Sequence, residues 1–159
     1  MTKTVYFGAG WFTPAQKKSY KIAMESLKNN ISVDLEHSYV PLEHQYKNIR
    51  VDEHPEYLHD KEWAIATFNG DIVGIKSSDV ALFTYLPLQE DIGCGVELGY
   101  AKAINKFIVV AIPDEEWGKP INLMSFGAAD IFIKLSDLKK YDFTKPSFNY
   151  YEGAVYWMY

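Results

Sequence analysis

The sequence is poor in the features that mark several large functional classes. Cys94 is the only cysteine in 159 residues, so no internal disulfide forms and a cysteine-based zinc site is excluded. Lying between Gly93 and Gly95 with no obvious base beside it, Cys94 reads as a small filler and not as a nucleophile. No apolar run approaches the ~18 residues of a membrane span, and Met1-Thr-Lys-Thr leads directly into a strand-like segment instead of a signal peptide. A cytoplasmic protein with no membrane partner is expected. Lys and Arg number 16 against 21 Asp and Glu, for a net charge of −5, and the basic residues are scattered. Without a basic stripe, polymeric nucleic acid is not an expected partner. No glycine-rich loop is followed by Lys-Ser or Lys-Thr, which removes a P-loop, and the possible dinucleotide fingerprint at Gly8 and Gly10 has Thr13 where its third glycine belongs. His37, His44, His54 and His59 form no His-Glu-x-x-His pattern and read as solvated loop residues, so neither a metal nor a cofactor is expected.

What is present is enough apolar residue for one core. With 48% hydrophobic content, a chain of this length fits a single domain spanning residues 1–159. Twelve tyrosines within an aromatic content of 16% suit either a ligand cleft or subunit interfaces.

Strand and helix patterns alternate along the chain. Thr4 to Phe7 reads as a first strand and Gly8 to Phe12 as the loop leaving it. A helix then starts at Thr13-Pro14-Ala15-Gln16, with Thr as N-cap, Pro in the first turn and Gln placed to close a capping box. Val33 to Val40 reads as a second strand, Glu43 to Pro55 as a long loop of the kind that is often functional, and Glu56 to about Ile75 as a second helix weakened by Gly70 and Gly74. Val80 to Leu86, Phe107 to Ile112 and Ile131 to Leu135 complete five strands, with a short helix over Ile121 to Ala128. Phe107 to Ile112 has no polar alternation, as expected for a parallel strand covered on both faces. The pattern predicts one doubly wound α/β domain, with a five-stranded, mainly parallel sheet flanked by helices in a flavodoxin-like or Rossmann-like arrangement.

The chemistry concentrates between Pro87 and Ala101, where a buried strand crosses into a helix. Gly93 and Gly95 permit a sharp turn and a close ligand approach. Glu97 falls in or near the first helical turn among Val96, Leu98, Tyr100 and Ala101. A carboxylate there either interacts favourably with the helix dipole or is buried for a purpose, because burial without partners costs several kcal/mol. In open parallel sheets ligands bind beyond the carboxyl ends of the strands, which singles out the loops Gly8 to Phe12, Pro87 to Gly95 and Pro113 to Met124.

At five places the residues resemble the nucleoside 2-deoxyribosyltransferases, particularly the type II group that accepts purines and pyrimidines: Tyr6-Phe-Gly-Ala-Gly-Trp-Phe12, Tyr39-Val-Pro-Leu42, Arg50 through His59, Glu97-Leu-Gly-Tyr-Ala101 and Lys119 through Ser125. The motifs are long, ungapped and in order, and the resemblance covers essentially the whole chain. It implies a transferase of nucleotide salvage, with 2′-deoxynucleosides and free nucleobases as partners and Glu97 as the nucleophile. Asp71 would be the proton shuttle, Asp91 would recognise the base or share the proton, and Tyr6 would orient the attacking oxygen. Gly8 and Gly10 let the first loop approach the ligand, Trp11, Phe12 and Trp63 would wall the base, and Gln45 could both donate to and accept from it. Asn122 and Met124 would come from a neighbouring subunit, and a homohexamer, a trimer of dimers, is implied. Many family members end at the tyrosine matching Tyr156, whose carboxylate reaches the sugar. Here Trp157, Met158 and Tyr159 follow, and this extension is expected to fold outward. For several of these residues an ordinary role competes: a strand tyrosine for Tyr6, core packing for the aromatics and solvated acids for Asp71 and Asp91. Two other functions remain open, a deoxynucleoside 5′-monophosphate hydrolase, whose phosphate pocket is not visible in the sequence, and a noncatalytic nucleoside-binding module.

Overall fold

In a computed structural model that describes residues 1–156, four apolar runs form the sheet: β1 (Val5–Gly8), β2 (Val80–Thr84), β3 (Phe107–Ile112) and β5 (Ile131–Lys134). They lie in the order β1-β2-β3-β5 and all pairs are parallel, with Val5 opposite Val80, Leu82 opposite Val109 and Val110 opposite Phe132. Every residue of β1 and β2 is buried, the condition under which a strand loses its polar alternation.

Alternate side chains divide the core in two. Val5, Phe7, Val80, Leu82, Val109 and Ala111 pack on one face against α1 (Pro14–Lys28), while Tyr6, Ala81, Phe83, Ile108 and Val110 pack on the other. That second face is covered by α2 (Lys61–Ser77), α3 (Ile92–Ala103) and α4 (Leu123–Ala128) through Ile75, Leu98, Ala101 and Ala128. The doubly wound α/β class is therefore as expected. At the start of α1 the capping box closes as predicted, with Thr13 Oγ1 accepting from Gln16 N at 3.2 Å and Gln16 Oε1 accepting from Thr13 N at 3.0 Å.

Among the described residues the sheet has four strands and not five. Val33 to Val40 does lie along β1, with Tyr39 N donating to Val5 O at 2.9 Å and Phe7 N to Tyr39 O at 2.8 Å, but its bridges are isolated, Tyr39 with Tyr6 of β1 and Val33 with Lys3 ahead of it, and Val5 N donates to the Ser38 hydroxyl at 2.9 Å instead of to a ladder carbonyl. Between them Asp34 and Ser38 satisfy the backbone locally. Asp34 Oδ1 accepts from His37 N at 3.3 Å, and Ser38 Oγ donates to Asp34 O at 2.6 Å. Such local bonds compete with a ladder.

Two further boundaries move. The second helix starts at Lys61, because Asp60 caps it by accepting from Trp63 N at 3.0 Å, and residues Pro55–His59 form a separate 3-10 turn. Ile121 and Asn122 form a short strand, β4 (Ile121–Asn122), paired in parallel with β6 (Val155–Tyr156), so the expected helix begins only at Leu123. The extension at Trp157, Met158 and Tyr159 lies outside the described residues. No helix among the described residues is long and apolar enough to cross a membrane.

Gly70 and Gly74 do not end α2. A Cβ at Gly74 would stand 2.4 Å from the Tyr39 ring, and one at Gly70 would stand 3.0 Å from its hydroxyl. The two glycines form the bed for that ring. A helix-interior Gly→Ala change normally stabilises by about 0.8–1.0 kcal/mol. Here overpacking a rigid ring costs about 1–3 kcal/mol, so Gly74→Ala is expected to lower Tm by several degrees in a thermal melt. A rise in Tm would show that Tyr39 is not tightly seated.

Candidate active site

Three carboxyl groups converge beyond the carboxyl ends of β1 and β2. Asp91 is the N-cap of α3, its Oδ1 accepting from Cys94 N at 2.8 Å. Glu97 therefore falls in the second turn and not the first, too deep for the dipole of the helix end to account for it. It projects toward the end of the sheet. A Cβ on Gly8 would lie 3.0 Å from Glu97 Oε2 and 2.4 Å from the Phe83 ring, so the absence of a side chain at Gly8 is what admits the carboxylate.

Burial is the main reason that Glu97 is pushed up to about 8, with the charge of Asp71 next and that of Asp91 a smaller contribution. Burial also raises Asp71 to about 6, against the opposing effects of the Tyr39 hydroxyl and His44. Tyr6 is fully buried on β1, and burial followed by the charge of Glu97 drives its hydroxyl far above the ordinary tyrosine range. Tyr6 and Glu97 are close enough to shift each other's titration, but the contact falls outside hydrogen-bond geometry. Tyr6 Oη and Glu97 Oε2 are both buried without a hydrogen-bond partner among the described residues. Each such group costs about 1–3 kcal/mol. Burial of the Cys94 thiol, followed by the nearby carboxylates, raises its pKa, which agrees with a filler and not a nucleophile.

The first loop is shaped around Gln16. Its Oε1 accepts from Phe12 N and Thr13 N, both at 3.0 Å, and a Cβ on Gly10 would lie 2.6 Å from its Cδ. Trp11 and Phe12 stack with ring centroids 4.4 Å apart, and Phe12 is 62% exposed, so this pair forms an open wall and not core. Trp63 is buried in the first turn of α2, near Tyr57, with its indole N–H unpartnered among the described residues. Gln45 is buried as well, its Oε1 accepting from Val51 N at 2.7 Å. It anchors the long loop, which is also tied to α2 by Tyr46 N donating to Thr67 Oγ1 at 3.1 Å.

Asn122 caps α4, accepting from Met124 N at 2.8 Å, and Met124 is 75% exposed. Both line a cleft of about 810 Å³ with Thr84, Asp91, Val96 and Tyr156. Glu97 and Asp71 are not among the residues that border that cleft, although Cys94 and Leu98 of the same helix are.

Three residues given no role at the site from the sequence hold the arrangement together. Tyr39 Oη donates to Asp71 Oδ1 at 3.3 Å. His44 stacks on Tyr39 with centroids 4.5 Å apart. Glu90 Oε1 gathers Tyr85 Oη at 2.9 Å, Leu88 N at 3.3 Å and the Tyr156 hydroxyl, fixing the loop that leads into Asp91. No group of acids, histidines and cysteine among the described residues has the arrangement of a metal site.

The family model for nucleoside 2-deoxyribosyltransferase matches residues 5–124. A nucleoside deoxyribosyltransferase of Lactobacillus leichmannii is 62% identical over 154 residues, 97% of this chain and 98% of that protein. One from Lactobacillus johnsonii is 62% identical over 148 residues, 93% and 99% of the two chains. Among solved structures, the 2-deoxyribosyltransferase of Bacillus psychrosaccharolyticus superposes with a TM-score of 0.69 at 24% identity, covering 89% of this chain and 93% of the other, which is a likeness of fold.

Proposed function

The chain belongs to the nucleoside 2-deoxyribosyltransferase family and is an enzyme of that kind, and from that premise we propose that it moves the 2-deoxyribosyl group from a 2′-deoxynucleoside to a free purine or pyrimidine by two displacements at Glu97. The observation that carries this reading is a buried, unpartnered carboxylate oxygen admitted by the absence of a side chain at Gly8 and flanked by a second raised carboxyl.

In the first step an oxygen of ionised Glu97 bonds to C1′ while the C1′–N bond breaks. The electron pair leaves on the base nitrogen, which takes a proton from Asp71. The products are a deoxyribosyl ester of Glu97 and a neutral base. In the second step a nitrogen of the incoming base bonds to C1′, Glu97 leaves as carboxylate, and the proton of the incoming base passes to Asp71. Two inversions give retention, and the anionic carboxylate also stabilises the oxocarbenium-like transition states. Tyr6, whose hydroxyl and Glu97 Oε2 are both left without a partner among the described residues, orients the attacking oxygen by donating to Glu97 in the reacting complex. Asp91, with Oδ1 engaged at the helix cap, has Oδ2 for the base. Trp11, Phe12 and Trp63 wall the base, and the NH2 end of Gln45 serves as its donor.

The two raised carboxyls set the pH dependence. Below about 6 both are protonated and Glu97 is no nucleophile; above about 8 both are ionised and no acid remains. Between these limits the pair holds one proton, the count the reaction requires, and transfer to Asp71 gives the reactive form. The kcat/KM for the donor should therefore be bell-shaped with limbs near 6 and 8. A rate that stays flat from pH 5 to 9 would remove the carboxyl pair from the mechanism.

The exposed apolar residues Ile92, Val96, Leu123 and Met124 around the cleft, with Ile65, Phe68 and Val73 on α2, support self-association, and the assembly proposed is the homohexamer that the resemblance implies, in which Asn122 and Met124 complete a neighbour's sugar site. Sedimentation should then give six times the chain mass. The function itself is tested by mixing the protein with a deoxynucleoside and a different free base. Appearance of the exchanged nucleoside supports transfer; free sugar alone would indicate a hydrolase, and no reaction a binding module.

A further inference from the structure

Beside the site, rings pack in a row through Tyr39, which the reaction as described does not use. The Tyr39 ring lies nearly parallel to that of Tyr6 with centroids 5.7 Å apart and an interplanar angle of 10°, and it also stacks on His44 at 4.5 Å and 23°. Tyr6 continues the row to Phe83 at 6.0 Å. The backbone of Tyr39 is pinned to β1 by two hydrogen bonds to Val5 and Phe7, and its ring rests on the side-chain-free surface of Gly70 and Gly74. With its backbone pinned and its ring packed against Tyr6, His44 and the two glycines, the direction of the hydroxyl is fixed. That hydroxyl donates to Asp71 Oδ1 at 3.3 Å, with the His44 carbonyl 3.5 Å away.

We infer that Tyr39 is a positioning residue for proton transfer: its hydroxyl holds Asp71 Oδ1, so that Asp71 Oδ2 is the oxygen that carries the proton to and from the base. The inference rests on the role given to Asp71 above. A carboxyl on a flexible side chain presents either oxygen and either lone pair. One fixed donor removes that choice, and misorientation of a reacting group by about an ångström is costly in rate. The fit of Gly70 and Gly74 to the ring gives these glycines a purpose that helix propensity opposes.

The same bond acts on the titration of Asp71. A donor to the charged form favours ionisation, so Tyr39 opposes the burial that raises this carboxyl. The other groups facing it are His44 from the long loop, Tyr6 from β1, and Cys94 and Glu97 from α3, and all of them remain when only the Tyr39 hydroxyl is removed.

Tyr39→Phe keeps the row of rings and deletes the donor. The full-length variant should retain the wild-type Tm within a few degrees. Its acidic limb should move up by about one pH unit, the size of one lost hydrogen bond to a charged group. Transfer from an ordinary deoxynucleoside should fall about ten- to a hundredfold, below the ~10²–10⁴ of losing the acid itself. Transfer from 4-nitrophenyl 2-deoxyribofuranoside, whose nitrophenolate leaves unprotonated, should stay near wild type. Asp71→Asn measured in parallel separates the two claims. If Asp71→Asn discriminates between the donors while Tyr39→Phe loses both equally or neither, with the limb unmoved, the inference about Tyr39 is overturned and Asp71 keeps its role. If Asp71→Asn also fails to discriminate, the proton role and the inference fall together.

Discussion

Glu97→Ala is expected to abolish base exchange, with a loss on the order of 10⁴–10⁶-fold, the scale seen when the nucleophile of a covalent mechanism is removed. The fold should survive. Alanine is a better helix former than glutamate at an interior position of α3, and the substitution deletes a buried carboxylate oxygen that has no hydrogen-bond partner among the described residues. Linkage gives the sign of the stability change. The carboxyl of Glu97 is raised from 4.5 to about 8 in the folded chain, so its contribution to stability is fully present below 4.5 and is lost as pH rises through 8. Wild type and variant should therefore differ most above pH 8, with the variant having the higher Tm. Loss of activity together with a gain in alkaline stability distinguishes a removed nucleophile from a damaged fold, which would lose both. Near wild-type exchange by the variant would end the double-displacement assignment.

Asp71→Asn is expected to slow transfer from ordinary deoxynucleosides by about 10²–10⁴-fold, the usual worth of general acid catalysis, and to spare donors whose leaving group needs no proton. Asparagine keeps the shape and can still accept from the Tyr39 hydroxyl, so the neighbouring row of rings is undisturbed. The variant also carries no charge beside Glu97. Asp71 is the second-largest reason that Glu97 is raised, so the Glu97 carboxyl should titrate lower and the nucleophile should be ionised over a wider range. On the activated donor the acidic limb should then move below its wild-type position. Equal losses on both donor types would mean that Asp71 positions the base and delivers no proton.

Much of this arrangement could be read from the residues. The capping box at Thr13 and Gln16 and the unbroken apolar strand at Phe107 to Ile112 are local patterns that fold as their spacing dictates, and the strand-to-helix crossing before Glu97 does too, except that Gly93 and Gly95 lie inside α3 and make no sharp turn. The missing fifth strand has a local cause too, but one that strand propensity does not register: Asp34 and Ser38 turn their polar side chains on the backbone between two bridges. Gly70 and Gly74 were legible only as weak helix positions, because their purpose lies 31 to 35 residues earlier in the ring of Tyr39. Glu90 escaped for a similar reason. It is an ordinary loop acid beside Tyr85 and Leu88 of its own segment until Tyr156, 66 residues later, is brought to the same carboxylate oxygen. The position of Glu97 in the second turn followed from which acid caps the helix, and sequence spacing alone does not choose between Asp91 and its neighbours.

The most direct test of the central claim is intact-protein mass spectrometry of wild type mixed with a deoxynucleoside and no acceptor base, followed by peptide mapping. The account predicts a mass increase of one deoxyribosyl group, located on the peptide containing Glu97, absent from Glu97→Ala, and discharged when a free base is added. Base exchange proceeding at full rate with no adduct trapped on wild type under rapid quench, or an adduct that persists in Glu97→Ala, would contradict it.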